Sequence, residues 1–414
     1  MATIKPFEAV RPQSEFAVEV SSLPYDVMST AEARQMAELN PKSFLHVSRA
    51  EIDFPEGIDE HSQEVYDKAR DNFYKMMEDG ILFQEAYPLF YVYAQNMLGR
   101  TQVGLVACSS VEDYFSDVIK KHEFTRPEKE EDRIRHMETL QAHVGPIFLT
   151  YPKNFSVDKI MSEAMQQTDP VYNILTKDGI QHTVWLISDN EKITTLQTIF
   201  KNEIPYTYIA DGHHRTASAA RVGKKMKEEN PHHDGTEEYN FFLSVLFPDD
   251  QLAIMDYNRV VKNLNSLTEE TFLKKLEENY QLTPVTFKEA KPAQLHQFGM
   301  YLNQQWYSLT AKPHIIKTDP IGVLDVSILS ETVLDPLLGI KDQRTDKRID
   351  FIGGIRGLSE LQRRVDSGEM QVAFALYPVS LKQLMDIADT GNVMPPKSTW
   401  FEPKLRDGLF SHLF

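Results

Sequence analysis

The chain is poor in cysteine: Cys108 is the single thiol in 414 residues. That excludes an intramolecular disulfide framework and a cysteine-based zinc site. Lying beside the apolar run Val103 to Ala107, Cys108 reads as a small buried hydrophobe. Long apolar runs are lacking too. The best candidate, Pro88 to Ala94, has the length of a strand, well short of the roughly 18 residues a membrane helix needs. Met1 to Phe7 has no apolar segment of the secretory type, so a cytoplasmic location is expected. Positive charge is scarce: 44 Lys and Arg against 61 Asp and Glu give a formal net charge of −17. A general nucleic-acid binder needs a basic face, and no helix-turn-helix with basic flanks is visible, so that class is disfavoured. Neither a Walker A loop nor a G-x-S-x-G elbow occurs, and the glycine-rich Phe351–Gly357 stretch fits no dinucleotide fingerprint and reads as a turn.

What is present is ordinary globular material, 41% hydrophobic and 25% charged. At about 150 residues per domain, the length suggests two or three domains or one elaborated domain. Helical and extended patterns alternate, which predicts an α+β (mixed α/β) fold. Ser29 to Glu32 forms a capping box opening a helix. Residues 60–79 place Val65, Ala69, Phe73 and Met76 on one helical face. Leu89–Met97 and Thr101–Ser109 read as a hairpin, and Pro127 opens a helix to about 143. A short strand, Tyr206–Ala210, runs into Asp211-Gly-His-His-Arg215, and a helix follows from about 213 to 229. Ser266 and Glu269 are expected to box a helix to about 280. Residues 282–297, with two prolines and weak periodicity, read as a linker, and 323–338 as a helix. The division expected is residues 1–255 and a C-terminal α/β unit, 256–414.

Three segments carry chemistry. In Ile209–Thr216, Gly212 lets backbone approach a ligand where a strand turns into a helix. The first N–H groups of that helix are unsatisfied and lie at its positive end, which suits a phosphate. His213, His214 and Arg215 add side-chain donors, and an Arg can grip an oxyanion with two bonds. The plainer alternative is that Asp211 merely caps the helix. In Lys121–Arg126 the pair His122-Glu123 lacks the zincin spacing. A solvated surface pair is the simpler reading, while a partly buried Glu123 would serve as a general base. In Pro396–Thr399, the ammonium of Lys397 and the hydroxyls of Ser398 and Thr399 suit a carboxylate or phosphate, unless the segment is an ordered surface tail. Trp400 and Phe401 argue that it packs against the body. His232-His233-Asp234 reads as a polar loop ahead of a metal site.

Taken in order, these segments resemble a bacterial family named domain of unknown function 1015. The resemblance runs end to end. It rests on Pro24-Tyr-Asp26, Tyr91-Val-Tyr-Ala-Gln95, His122-Glu123, Ala210 to Arg215, Phe247-Pro-Asp-Asp250, Tyr257-Asn-Arg259 and Met394 to Lys404. That family is similar to the free-serine kinases of the ParB/sulfiredoxin-like superfamily, which show a His-Glu pair, Asp-Gly-His-His-Arg and a late Pro-Lys-[Ser/Thr]-Thr. The resemblance implies a ParB/sulfiredoxin-like core with an N-terminal extension and a C-terminal α/β unit. It implies Glu123 as base toward a serine hydroxyl and Asp211, Gly212, His213, His214 and Arg215 as a nucleotide-phosphate cradle. His214 shares the catalytic work, and Lys397, Ser398 and Thr399 bind substrate. The departures are the long segment before the His-Glu pair, extra chain between that pair and the cradle, and Trp400 where the kinases carry a basic residue.

The function so implied is a small-molecule kinase acting on free L-serine or a similar metabolite. Its donor is ATP or ADP with Mg²⁺ carried by the nucleotide, and Asp211 is able to order the metal's waters. The histidines and Arg215 are expected to stabilise phosphoryl charge as cationic exceptions in an acidic chain. The alternative is a non-catalytic nucleotide- or phosphate-binding regulatory module with Glu123 idle. A ParB-like DNA role is disfavoured by charge. A sulfiredoxin activity is disfavoured because His213 stands where the catalytic cysteine would.

Overall fold

Strands that carry a nearly continuous apolar run are buried on both faces, and three with such a run form the middle of the larger sheet. Phe90–Met97, Arg100–Ser110 and Phe241–Pro248 are buried over most of their length. The computed structural model describes residues 1–414 and divides them into two units, Met1–Leu252 with Pro403–Phe414, and Ala253–Glu402. The architecture is mixed α/β. The last twelve residues therefore belong with the first unit, although the sequence places them in a C-terminal one.

The first unit is built on a nine-stranded mixed sheet. Its order is Ile119–Lys120, Thr207–Asp211, Ile147–Tyr151, Phe241–Pro248, Arg100–Ser110, Phe90–Met97, Gln181–Ile187 and Tyr172–Leu175, with Ile4–Lys5 along Arg100–Ser110. The hairpin turns over only Leu98-Gly99, since Met97 pairs with Arg100. Both turn residues have positive φ, 52° and 79°, as the tightest hairpin loops require. Cys108 lies fully buried in this sheet, and burial pushes its thiol well above the usual value. Helix Gln63–Glu78 buries Val65, Ala69, Phe73 and Met76 in a second apolar cluster with Phe44, Val47 and Leu140.

Two further helices pack side by side in this unit. Pro127–Leu140 lies against His213–Glu229, with Ser218 Oγ donating to the Glu130 carbonyl (3.0 Å) and Arg221 reaching Glu130 (2.9 Å). The C-terminal segment is stitched to the N-terminal one by backbone pairs, Val10 with Ser411 and Ser22 with Asp407.

The second unit holds a six-stranded antiparallel sheet in the order Tyr280–Val285, Gln305–Ala311, Gln297–Leu302, Val372–Leu376, Tyr257–Val261 and Ile349–Gly353. The expected linker, 282–297, is overturned in its first part: Leu282–Val285 continues an edge strand, where Pro284 is tolerated because an edge leaves one side unpaired. Helix Glu269–Asn279 is capped by Thr268, whose side chain accepts the Thr271 N–H. Ser266 is instead in a left-handed turn at φ 65°, so the expected box does not form. The helix expected over 323–338 is Asp325–Leu329 followed by a wider π turn over Ser330–Leu334.

Gly223 shows how tightly the 213–229 helix packs. Alanine in a helix interior normally gains about 1 kcal/mol over glycine. Here an added Cβ would lie 2.3 Å from the Tyr239 carbonyl and 3.0 Å from Val111. Gly223→Ala is therefore expected to destabilise the protein by about 1–3 kcal/mol through overpacking, read as a lowered urea midpoint with unchanged slope.

Candidate functional site

Strands Ile119–Lys120 and Thr207–Asp211 run parallel, with Ile119 beside Thr207 and Lys120 beside Tyr208. Their C-terminal ends therefore share one edge of the sheet, which brings His122 to the start of the 213–229 helix. The rings of His122 and His213 meet edge to face, 4.4 Å apart at 90°. Glu123 follows in the next loop and is half-buried. Against Ile147–Tyr151 the pairing register of Thr207–Asp211 shifts between Ile209 and Asp211, a bulge of the kind that re-aims side chains next to sites.

Asp211 does not cap the helix. Its Oδ1 accepts the N–H of Gly212 (2.9 Å) and its Oδ2 accepts from Lys404 Nζ (2.8 Å). The cap position belongs to Gly212, at φ 93° and ψ 33°, which has no side chain to bond the helix's first N–H groups. A backbone of that hand is open to glycine and strained for a residue with a Cβ. The leading N–H groups are thus left for something else. Around them, His213 Nε2 and Arg215 Nε are buried without a hydrogen-bond partner. His214 is used: its Nε2 accepts the Arg126 N–H at 3.1 Å.

Arg215 is the buried cation of the site. Its Nη1 donates to the Pro146 carbonyl (2.9 Å) and stands 3.9 Å from Asp407 Oδ1. Two glycines face this guanidinium. A Cβ on Gly212 would lie 3.4 Å from Arg215 Nε, and one on Gly145 would lie 3.3 Å from its Nη1 and 3.0 Å from Asp407 Oδ1. Burial works against the charge, but Asp26, Asp407 and Asp211 outweigh it and hold Arg215 firmly protonated. Burial likewise raises the Asp211 carboxyl, yet Lys404 and Arg215 win and keep it well below the usual carboxylate range. Asp407 goes the other way: burial pushes it up to about 7 against the pull of Arg215.

The histidines are not cationic, contrary to expectation. Burial lowers His122 and His214 to about 4 and drives His213 well below its usual value. At neutral pH they are polar, uncharged groups, and Arg215 and Lys404 carry the positive charge. Asp26, Gly145, Lys404 and Asp407 were not singled out as site residues by sequence reasoning. Pro24-Tyr-Asp26 and Lys404 stand within recognisable motifs, but nothing local to Gly145 or Asp407 signals a role.

Lys397, Ser398 and Thr399 lie in the second unit. Lys397 is left-handed at φ 59°, with its Nζ 5.7 Å from the Tyr257 ring. Ser398 Oγ donates to the Pro395 carbonyl (2.6 Å). The turn is held from below by Arg259, fully buried, which bonds the carbonyls of Tyr257 and Pro396 and forms no ion pair. Burial alone lowers that guanidinium to about 10. Trp400 packs edge-on to Tyr257 and over Gly353, where a Cβ would meet the indole at 2.7 Å. His233 stacks on Tyr239 and approaches Glu237, a local use of that loop.

Fold and site together define a mixed α/β protein with a glycine-opened helix start lined by neutral histidines and one buried arginine. A family model described as a protein of unknown function, DUF1015, matches residues 4–327, and the chain belongs to that family. No curated protein matches it. Among solved structures, a free serine kinase in complex with AMP is similar at 13% identity and a TM-score of 0.35, covering 69% of this chain and 84% of that one. A conserved hypothetical protein from Pyrococcus furiosus is similar at 14% identity and 0.34, covering 70% and 90%. A C-terminally truncated SbnI from Staphylococcus aureus is similar at 13% and 0.32, covering 73% and 85%. Likenesses this remote assign neither ligand nor activity to this chain.

The lowered histidine values fix a sign. The folded state resists protonation that the unfolded chain accepts below about 6.5, so this part of the stability is intact above 6.5 and is lost as pH falls toward 4. Imidazole ¹⁵N shifts are expected to show His122 and His214 neutral at pH 6, with unfolding free energy falling steeply between pH 6.5 and 4.

Proposed function

We propose that the chain is a small-molecule kinase that binds nucleotide phosphates at the start of the 213–229 helix and phosphorylates the hydroxyl of free L-serine or a similar metabolite. The observation that carries the reading is the uncapped helix start at left-handed Gly212, beside which His213 Nε2 and Arg215 Nε are buried with no partner. A helix terminus with open N–H groups favours an anion by about 0.3–1 kcal/mol when exposed and up to about 2 when partly buried. Buried donors left unmade cost about 1–3 kcal/mol each, which a phosphate oxygen would recover. The residues present therefore fit ATP or ADP, with Mg²⁺ carried on the nucleotide.

In this reading the nucleotide supplies the phosphoryl group, and transfer depends mainly on positioning and charge stabilisation. Gly212 lets the phosphate approach, and His213, the Nδ1–H of His214 and the N–H groups of the helix's first turn hold its oxygens as neutral donors. Arg215 supplies the fixed positive charge, and Asp211, kept ionised by Lys404, orders metal-bound water. Glu123 takes the proton from the acceptor hydroxyl. Lys397, Ser398 and Thr399 hold the acceptor.

The test has two parts. Calorimetry with ADP is expected to show binding that weakens at least tenfold in Arg215→Lys, because an ammonium cannot replace a forked guanidinium. Phosphorus NMR with L-serine and either nucleotide is expected to show phosphoserine, reduced 10²-fold or more in Glu123→Gln with ADP affinity unchanged. Binding without turnover on an amino-acid panel would leave a nucleotide-binding module and overturn the kinase reading.

A further inference from the structure

Asp407 is an unusual neighbour for an anion site. It is 2% exposed, its Oδ1 has no hydrogen-bond partner, and that oxygen stands 3.9 Å from Arg215 Nη1, close enough to feel the charge but too far to bond. The missing side chain of Gly145 leaves the space that the carboxyl faces. Its backbone is fixed on both sides by Ser22, so it cannot swing out to water without breaking two hydrogen bonds, 3.0 and 3.1 Å long. The groups that face it are Arg215 from the 213–229 helix, Arg133 from the 127–140 helix, Asp26 from the N-terminal turn, and Arg406 beside it in the chain. Arg133 is already engaged with Asp132 at 2.8 Å, and Arg406 with Asp178 and His182. Asp407 therefore depends on Arg215, the same guanidinium that faces Gly212.

We propose that Asp407 is the proton-accepting partner of this site: an anion bound at Gly212–Arg215 draws Arg215 away from Asp407, and one proton from solvent adds to the Asp407 carboxylate. This rests on the phosphate-binding reading of the helix start. The balance is simple. One O–H bond forms on Asp407, no other bond changes, and the buried region accepts an anion without holding an extra unpaired negative charge. A carboxyl that burial already lifts to about 7 needs little further repulsion to take up a proton. Linkage sets the sign: a site that takes up a proton on binding loses affinity as pH rises, by up to tenfold per pH unit once the free carboxyl is ionised.

The experiment is calorimetry of the full chain with ADP at pH 8 in Tris and in HEPES, whose ionisation enthalpies differ, and a pH series of the dissociation constant from 6 to 9. The expected result is close to one proton taken up per ADP and affinity that falls above pH 7. In Asp407→Asn the uptake and the pH dependence are both expected to vanish. Should that variant fail to fold, Asp26→Asn serves: removing the negative neighbour is expected to lower the pH at which affinity begins to fall. Uptake that persists in Asp407→Asn would place the proton on a histidine and overturn the proposal, as would ADP binding with no proton uptake in the wild type. Absence of ADP binding altogether would overturn the phosphate-binding reading itself, a distinct outcome.

Discussion

The first unit is organised around one buried charge. Arg215 is 5% exposed, and a guanidinium taken out of water without compensation costs several kcal/mol. Compensation comes from three parts of the chain: Asp26 near its start, Asp211 at the end of the strand that leads into the helix, and Asp407 near the C-terminus. This requirement gives a physical reason for the course of the chain. The N-terminal segment pairs with the C-terminal one at Val10–Ser411 and Ser22–Asp407, and the same N-terminal segment delivers Tyr25 and Asp26. The last dozen residues leave the second unit's sequence neighbourhood and return to the first, where Lys404 holds Asp211 and Asp407 faces Arg215. The N-terminal segment is thus half of a clamp on the C-terminal one, which carries Lys404 and Asp407.

What the sequence made legible was whatever lay within a few residues of itself. The capping box at Ser29–Glu32, the amphipathic face of 63–78, the hairpin at Leu98-Gly99 and the glycine-opened helix at Gly212 all announce themselves by local spacing. Long-range geometry was not legible. Nothing near Gly145 indicates that it must lack a side chain because Asp407 and Arg215 arrive there from far along the chain. The edge strand at 280–285 was hidden because its proline reads as a breaker, and only the sheet order reveals that the position is an edge. The charge state of the histidines was hidden for a different reason: a count of basic residues contains no burial.

Neutral histidines change how an acidic chain can hold an anion. Three uncharged imidazoles and a helix terminus offer polarity without net charge, so they neither repel Arg215 nor require counter-ions of their own. Burying them costs less than burying cations would. The consequence is acid sensitivity, since each must stay unprotonated in the fold.

The local balance of formal charge also limits what the site accepts. Arg215 and Lys404 are offset by Asp26, Asp211 and an ionised Asp407, while Arg126 and Lys129 act on His214 and Arg133 and Arg406 face Asp407, so charges of both signs surround the helix start. On the proposed phosphate-binding reading, positive charge arriving with the ligand, as a carried metal ion or a proton gained by the protein, would strengthen binding. Gly212 and the open N–H groups supply shape and hydrogen bonds, and the accompanying charge decides affinity. On that reading the site would favour an anion that brings or recruits a cation over a bare one, and a nucleotide phosphate carrying a divalent metal is an anion of that kind.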